Sequence, residues 1–275
     1  MASSTSNSKD RLGTWPWVRT WLFGLLVAAV LIGGWEGYWR SRGLNSFVAN
    51  NFELWAAKLD AGLRAGPEAI IFTGSSRIMA AIHFPTLQAA RQDRVLAQVG
   101  TFGGSPVAVL RYLAEETTWN GCVVAEVLPG ELFIAVAEQE QNSAAWIERF
   151  TERLRQQRRT PEPAYHALEF EFELYLRDHL VTFGGQTHPN AVLTSLVSGE
   201  RIERPFFRLT PDRTEILDFT DVDLENWRAS RVAQYSIEGM TPIDFSAMLV
   251  EPVRGWVREI EARGGRVVLL RLPAK

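Results

Sequence analysis

The sequence has almost no cysteine, and its charges are not concentrated in tracts of one sign. Cys122 is the only cysteine among 275 residues, so an internal disulfide is excluded and a cysteine-based metal site is not expected. The formal net charge is −3 without clustered lysine and arginine, which argues against a nucleic-acid partner. A Gly-Lys-Ser/Thr phosphate loop and a G-x-G-x-x-G fingerprint are also missing. We therefore expect no metal, no cofactor and no nucleic acid.

The amino terminus carries the longest uncharged hydrophobic stretch. Residues 1–14 are polar and rich in serine, and they are expected to form a disordered cytoplasmic tail. The stretch "TWLFGLLVAAVLIGGW" (20–35) has no charge. With its tryptophan- and tyrosine-containing flanks it predicts a transmembrane anchor over 15–39, since about 20 residues cross a bilayer core about 30 Å thick. A convincing cleavage site is absent, so we expect the anchor to be retained rather than removed as a signal peptide.

The charges beside this anchor indicate its orientation. The charged residues that flank the uncharged stretch 20–35 are Lys9, Asp10, Arg11 and Arg19 before it, and Glu36, Arg40 and Arg42 after it. The excess of basic residues is slightly larger on the amino-terminal side, which favours a cytoplasmic amino terminus. The sequence therefore predicts a single-pass protein of the plasma (inner) membrane. Its main domain is expected outside the cytoplasm, in a periplasm if the cell has one.

The rest of the chain alternates between apolar runs and helical patterns. Residues 40–66 predict a juxtamembrane helix that ends at Gly66-Pro67. The predicted strands are 69–74, 94–100, 122–129 and 266–273. Their near-continuous Val, Ile and Leu content is typical of parallel strands buried on both faces. Predicted helices from Ser105-Pro106 and from Thr241-Pro242 separate them, so we expect a doubly wound α/β domain over 67–275.

A region of different character separates the third strand from the last, and we interpret it as an insertion at about 136–240. The segment 143–159 is charged and helical. The segment 167–180 alternates in part like a strand, but its Glu and Leu content favours a helix. Residues 185–240 are polar and are expected to cap the sheet edge. The three aspartates of "DFTDVD" (218–223) fit a solvated turn better than a cation-binding loop.

Two of the predicted strand ends carry residues suited to acyl chemistry. The stretch "IIFTGSSRIMAAI" (70–82) places Ser75 and Ser76 between a strand and a helix. N–H groups at the start of a helix can stabilise an oxyanion when a serine attacks a carbonyl. Alternatively the serines only cap the helix, which is the favoured interpretation of this stretch alone. The turn "QVGTFGGSP" (98–106) adds glycines that let the backbone approach a ligand. With this second turn, a nucleophile at Ser76 becomes the favoured interpretation over capping alone.

With this order of motifs, the chain resembles the SGNH, or GDSL-like, hydrolase superfamily. The membrane-anchored form that it resembles includes proteins of cell-envelope polysaccharide acylation. The resemblance covers residues 69–131 and 245–273. It implies a three-layer α/β sandwich with a flavodoxin-like parallel sheet. Gly74-Ser75-Ser76 stands where the family has Gly-Asp-Ser, so the resemblance implies Ser76 as the nucleophile. Gly103 stands at the family's oxyanion glycine, and Gln98 at the asparagine before it.

The chain departs from the family in two blocks. Gly130 and Glu131 stand where the third block has Asn and Asp, so the oxyanion asparagine is absent. The fourth block, Asp-x-x-His, supplies the base in the family. Aspartate does not precede any histidine at that spacing; the histidines are His83, His166, His179 and His188. Two explanations stay open: a fragment of a longer protein, favoured because the chain stops at a predicted strand end, or a non-catalytic member.

The resemblance implies an extracytoplasmic serine esterase or O-acyltransferase acting on acyl groups of envelope carbohydrate. Ser76 would attack the acyl carbonyl, and the backbone N–H groups of Ser76 and Gly103 would hold the oxyanion. Arg77 either binds an anionic substrate or, more commonly for such an arginine, pairs with a carboxylate. The expected partners are the bilayer through 15–39, an acylated carbohydrate or acyl donor, and other envelope assembly proteins. The alternative is a non-catalytic scaffold or carbohydrate-binding subunit of an envelope polysaccharide assembly.

Overall fold

The computed structural model describes residues 14–127, 141–159, 164–183, 189–198, 206–220, 222–234 and 250–272. The predicted cytoplasmic tail up to residue 13, the Gly130-Glu131 block, His188 and the expected helix start at Thr241 lie outside these residues. The chain forms two units. One contains Met1–Ser46 and Leu180–Ile202, and the other contains Phe47–His179 and Glu203–Lys275.

The described helices and strands alternate through most of the chain. In chain order they are α1 (Thr14–Ser41), α2 (Phe52–Ala65), β1 (Ala69–Thr73), α3 (Ser76–Ala81), α4 (Phe84–Ala90), β2 (Val95–Gln98), α5 (Val107–Glu115), β3 (Cys122–Glu126), α6 (Gln141–Arg159), α7 (Ala164–His179), α8 (Pro189–Ser198), β4 (Phe207–Leu209), β5 (Glu215–Leu217), α9 (Leu224–Gln234), α10 (Val250–Ala262) and β6 (Arg266–Leu270). Short 3-10 helices lie at Gly66–Glu68 and Val181–Phe183.

The first unit is built on one long apolar helix. The part of α1 from Trp17 to Ser41 is long and apolar enough to span a membrane, with a mean hydropathy of 1.7 in its most apolar window. Most of its large hydrophobic side chains are exposed. Near its end, Trp39 packs in a small buried cluster with Leu44, Val181 and Val192. The unit thus joins the end of the apolar helix to a segment more than a hundred residues later in the sequence.

The second unit is organised around a four-stranded parallel sheet in the order β2-β1-β3-β6. The central strand β1 places Ile71 opposite Ala97 of β2 on one side and Val123 of β3 on the other. Strand β6 pairs in parallel with β3, with Val267 opposite Val123. The α/β class and the parallel sheet are therefore confirmed. Each of the four predicted apolar runs contains one strand, and each strand is shorter than its run.

Both faces of the central strands are covered. On one face, residues of α2, α5, α6 and α10 form the larger core with Ile71, Ala97 and Val123. On the other face, α3, α4 and the β4–β5 hairpin form a smaller core around Phe72 and Ile78. The expectation of burial on both faces is wrong for β6, whose side chains are exposed or half-buried. This strand lies at the sheet edge with β3 as its only strand neighbour among the described residues, so less of it is covered.

Two helical segments compare directly with their predictions. The predicted helix over 40–66 is shorter than expected: α1 ends at Ser41, and α2 begins at Phe52. The Asn51 side chain accepts a hydrogen bond from the Leu54 N–H, which caps α2 where it starts. The segment 167–180 is confirmed as helical up to His179, where α7 ends.

Candidate functional site

The candidate site lies where the ends of β1 and β3 meet. Thr73 is opposite Ala125 in the ladder, so Gly74 and Glu126 follow side by side. A Cβ atom at Gly74 would lie 2.6 Å from the Cβ of Glu126. Gly74 also has a φ of 150°, which is rare for residues with side chains. Glycine is therefore required here. In the order β2-β1-β3-β6 the connections that follow β1 and β3 run to opposite sides of the sheet, and ligands of such sheets bind at this switch point.

Ser75 is held by the buried carboxylate of Glu126. The Ser75 N–H and Oγ donate hydrogen bonds to Glu126 Oε2 at 3.0 and 2.8 Å. The same hydroxyl accepts a hydrogen bond from the Arg77 N–H at 3.2 Å, so Ser75 caps α3. The Glu126 side chain is only 1% exposed. Ser75 thus caps the helix, and its hydroxyl acts as both a hydrogen-bond donor and a hydrogen-bond acceptor.

The Arg77 guanidinium connects the turn after β1 to the segment after β6. Its Nη2 donates to the Leu272 carbonyl at 2.9 Å, and its Nε lies 3.4 Å from Glu126 Oε1. Of the two roles that the sequence leaves open for Arg77, the structure shows the pairing with a carboxylate. The arginine side chain remains about one-third exposed, so part of it faces solvent.

Ser76 differs from its neighbour in its surroundings. It is the first residue of α3 and is half-buried, whereas Ser75 is buried. Within the part of the chain that the structure describes, the Ser76 hydroxyl has no hydrogen-bond partner. The histidines described contact residues close to them in sequence: His83 lies by Thr86, His166 by Glu169 and His179 by the Tyr175 carbonyl. The structure thus places Ser76 at a helix start and shows no contact between it and these histidines.

The glycine turn after β2 lies against the turn that carries the serines. The Thr101 N–H donates to the Gly74 carbonyl at 3.0 Å. Gln98 supports the turn, because its side chain accepts from the Gly100 N–H and donates to the Ile78 carbonyl. Gly103 has a φ of 62°, in the left-handed region that favours glycine. The predicted nucleophile and the predicted oxyanion glycine therefore lie on neighbouring turns at one edge of the sheet.

Arg213 is a charged residue beside these turns that the sequence did not indicate. It is fully buried, and its Nη2 donates to the Gly100 carbonyl at 2.7 Å. Its guanidinium carbon lies 5.8 Å from the centre of the Trp146 ring, within range of a cation–π contact. Burial lowers the pKa of Arg213 to about 9. Nothing in the local sequence marks this position, which lies in a polar turn and has a φ of 66°.

The acidic residues of the hairpin region serve different roles. Burial raises the pKa of Glu215 to about 7, so this carboxyl group is partly protonated near neutral pH. In the "DFTDVD" stretch, Asp218 Oδ1 accepts hydrogen bonds from the N–H and the hydroxyl of Thr220, which makes a local turn. Among the described residues, no group of three or more His, Cys, Asp or Glu side chains is arranged to hold a metal ion.

The fold and the site define a class of protein: an α/β protein with a serine-bearing strand-to-helix turn at the switch point of a parallel sheet, preceded by one long apolar helix. No family model, curated protein sequence or solved structure matches this chain significantly.

Proposed function

We propose that this protein is a membrane-anchored serine esterase or O-acyltransferase with Ser76 as its nucleophile. One observation carries the proposal: adjacent serines at the switch point have different surroundings. Ser75 is buried and bonded to Glu126, while Ser76 is the more exposed first residue of α3. Such an arrangement fixes the backbone of the turn through Ser75 and leaves the Ser76 hydroxyl available to react.

The reaction follows from the groups around this turn. Ser76 Oγ attacks the acyl carbonyl while a base removes its proton, and the carbonyl oxygen becomes an oxyanion. The backbone N–H groups of Ser76 and Gly103 are the proposed donors to that oxyanion. Their support is that the turns carrying them are joined by the hydrogen bond between Thr101 and Gly74. In this proposal the base lies outside the described residues.

The substrate and the location are also proposals. The resemblance to SGNH proteins supports O-acyl groups on envelope carbohydrate as substrates. The strand order β2-β1-β3-β6, with helices on both faces of the central strands, supports an SGNH-type three-layer sandwich. The length and apolarity of α1 support an anchor in the plasma (inner) membrane, with the amino terminus in the cytoplasm and the α/β unit outside.

A second candidate function is a non-catalytic scaffold or carbohydrate-binding subunit of an envelope polysaccharide assembly. Two observations favour it. Arg77 pairs with Glu126 and with the Leu272 carbonyl, as in a structural turn. The sequence also lacks the Asp-x-x-His block. In this candidate the same edge of the sheet binds carbohydrate and leaves it unchanged.

Labelling with a fluorophosphonate probe tests the enzymatic proposal. We expect the full chain in detergent to be labelled and Ser76→Ala to lose the label completely, because the phosphorus atom reacts with the nucleophilic oxygen. Ser230→Ala is the matched control, since Ser230 is exposed on α9 and should not affect labelling. Ser75→Ala should retain labelling in its folded fraction but melt at a lower temperature.

Two outcomes would count against the enzymatic proposal. Labelling that survives Ser76→Ala would exclude Ser76 as the nucleophile. A wild-type chain that does not react, although its melting is cooperative, would favour the scaffold or carbohydrate-binding role.

A further inference from the structure

Helix α7 carries a stripe of large apolar side chains that the described structure leaves uncovered. Tyr165, Leu168, Phe172 and Tyr175 are 60%, 73%, 63% and 57% exposed. Their spacing of three, four and three residues places them on one side of the helix. Single exposed hydrophobic residues are ordinary, but a continuous stripe of four with three aromatic rings marks an interaction surface.

The opposite side of α7 is partly covered by protein. Phe170 and Leu174 point away from the stripe by helical geometry and are half-buried. Acidic residues lie between these two apolar sides: Glu169 and Glu173 on one flank, and Glu171 on the other. A helix with this pattern packs on its own protein with one side, and its second apolar side is free to contact a partner or a lipid surface.

The chain runs from the end of α7 into a segment that is hydrogen-bonded to α1. Helix α7 ends at His179, and the next residues form the 3-10 helix Val181–Phe183. The N–H groups of Val181 and Thr182 donate to the carboxylate of Glu36 in α1 at 2.9 and 3.0 Å. A single residue, Leu180, separates His179 from this 3-10 helix, so α7 continues along the chain into a segment that is bonded to α1.

We propose that the stripe on α7 binds the surface of the bilayer that α1 crosses, with the helix lying in the water–lipid interface. This inference depends on the proposed membrane anchoring, and it is independent of the proposed chemistry at Ser76. Tyrosine suits this position, because its ring is apolar and its hydroxyl can remain in water. The exposed Trp35 and Tyr38 near the end of α1 are suited to the same interface.

The charges on α7 indicate how it binds. With acidic residues on both flanks, the attraction comes from burying apolar surface and not from anionic lipid. Binding should therefore occur on zwitterionic lipid and depend little on salt. The same residues disfavour a second copy of the chain as the occupant. Two stripes packed together would bring Glu169, Glu171 and Glu173 close to their counterparts, and like charges repel.

Depth-dependent quenching in vesicles tests this proposal with the full chain. Cys122 is replaced by serine, and one new cysteine is labelled with an environment-sensitive fluorophore such as NBD. The three variants are Leu168→Cys on the stripe, Glu173→Cys on the acidic flank as matched control, and Leu26→Cys in α1. Each is reconstituted in phosphatidylcholine vesicles that contain lipids with a spin label either near the headgroup or deep in the acyl chain.

The expected result is quenching of the Leu168 probe by the shallow spin label, about twofold or more stronger than that of the Glu173 probe, because an interfacial helix inserts only about 5–10 Å. The Leu26 probe should be quenched by the deep label. Equal melting temperatures of the three labelled chains show that the substitutions preserve the fold.

The outcomes that overturn the proposal are distinct. If Leu26 is quenched but Leu168 is quenched no more than Glu173, anchoring stands and the binding of α7 to the bilayer is wrong. If Leu26 is not quenched, the anchor itself is wrong. If the Leu168 emission shifts to the blue without quenching by either spin label, protein covers the stripe, and the binding of α7 to the bilayer is wrong.

Discussion

The environment of single residues decides what each part of the turn after β1 can do. Ser75 and Ser76 have the same side chain, yet one is bonded to a buried carboxylate and the other begins a helix with its hydroxyl available. Glu126 makes the difference, because its Oε2 accepts both the N–H and the Oγ–H of Ser75. A buried carboxylate is tolerated only when such donors replace its lost water.

Glu126→Gln should weaken the turn after β1. The amide keeps one acceptor oxygen but removes the charge that strengthens the bonds from Ser75 and the attraction to Arg77. We expect the free energy of unfolding to fall by about 1–2 kcal/mol, since hydrogen bonds to charged groups exceed neutral ones by roughly that amount. Chemical denaturation of the full chain in detergent, followed by circular dichroism, measures the change.

Glu261→Gln is the control for this prediction. It is the same chemical change on the exposed end of α10, and it should leave stability within about 0.5 kcal/mol of the wild type. Equal losses in the two variants would mean that Glu126 does not stabilise the turn.

The sequence indicated the position of the serine turn but not the residue that holds it. The turn was visible because an apolar run stops at a glycine and small polar residues follow. The contact between Ser75 and Glu126 spans 51 residues, and it exists because β1 and β3 are neighbours in the sheet. A carboxylate that ends the apolar run "CVVAE" was the signal that could have found it. Arg213 offered no signal, since its burial depends on a left-handed turn in a polar segment.

At the scale of elements, the strands were predictable where burial is continuous. Runs of Val, Ile and Leu identify β1 and β3, because central parallel strands expose neither face to water. The same pattern also located the edge strands β2 and β6, although they are less buried. The hairpin β4–β5 was missed, since its strands have three residues each and cannot show a period. The start of α2 was misplaced, because apolar residues on both sides of Asn51 have near-helical spacing, and only the capping contact of Asn51 shows where the helix begins. Boundaries thus depend on single capping contacts more than on pattern.

Two glycines inside helices should respond oppositely to alanine. Gly62 in α2 lies against the sheet, where a Cβ atom would be 2.9 Å from Ile71 Cγ1 and 3.0 Å from Ala97 Cβ. Gly255 in α10 has nothing within 4 Å of the same atom. Gly62→Ala should therefore destabilise the protein by about 1 kcal/mol net of helix propensity, and Gly255→Ala should stabilise it by about 0.5–1 kcal/mol.

Thermal melts of the two glycine variants beside the wild type measure these changes. Stabilisation by both substitutions would show that α2 can move away from the sheet without cost.

In the whole molecule, a segment far along the sequence is hydrogen-bonded to the amino-terminal helix α1. The carboxylate of Glu36 accepts from the N–H groups of Val181 and Thr182 and from the Thr182 hydroxyl, across about 145 residues of sequence. The sequence could not show this contact. A single acidic residue near the end of an apolar helix indicates only how the helix is oriented in a membrane. Only the structure pairs it with a segment so far along the chain.

Glu36→Ala tests this connection. Without the carboxylate, the amides of Val181 and Thr182 lose their acceptors, and their hydrogen exchange should accelerate by about tenfold or more, given 1.5–3 kcal/mol for a bond to a charged acceptor. Gly37→Ala is the control, because a Cβ atom there would meet nothing within 4 Å. Exchange that is unchanged in Glu36→Ala would show that the bonds to Glu36 do not protect these amides.

The contact of Glu36 with Val181 also orders events in the synthesis of the protein. The ribosome releases α1 long before it reaches Val181. In an anchored chain, α1 therefore enters the membrane while its partner segment does not yet exist. In such a chain the contact forms only when Val181 lies on the same side of the bilayer as Glu36. The stretch between them must then cross the membrane completely or not at all.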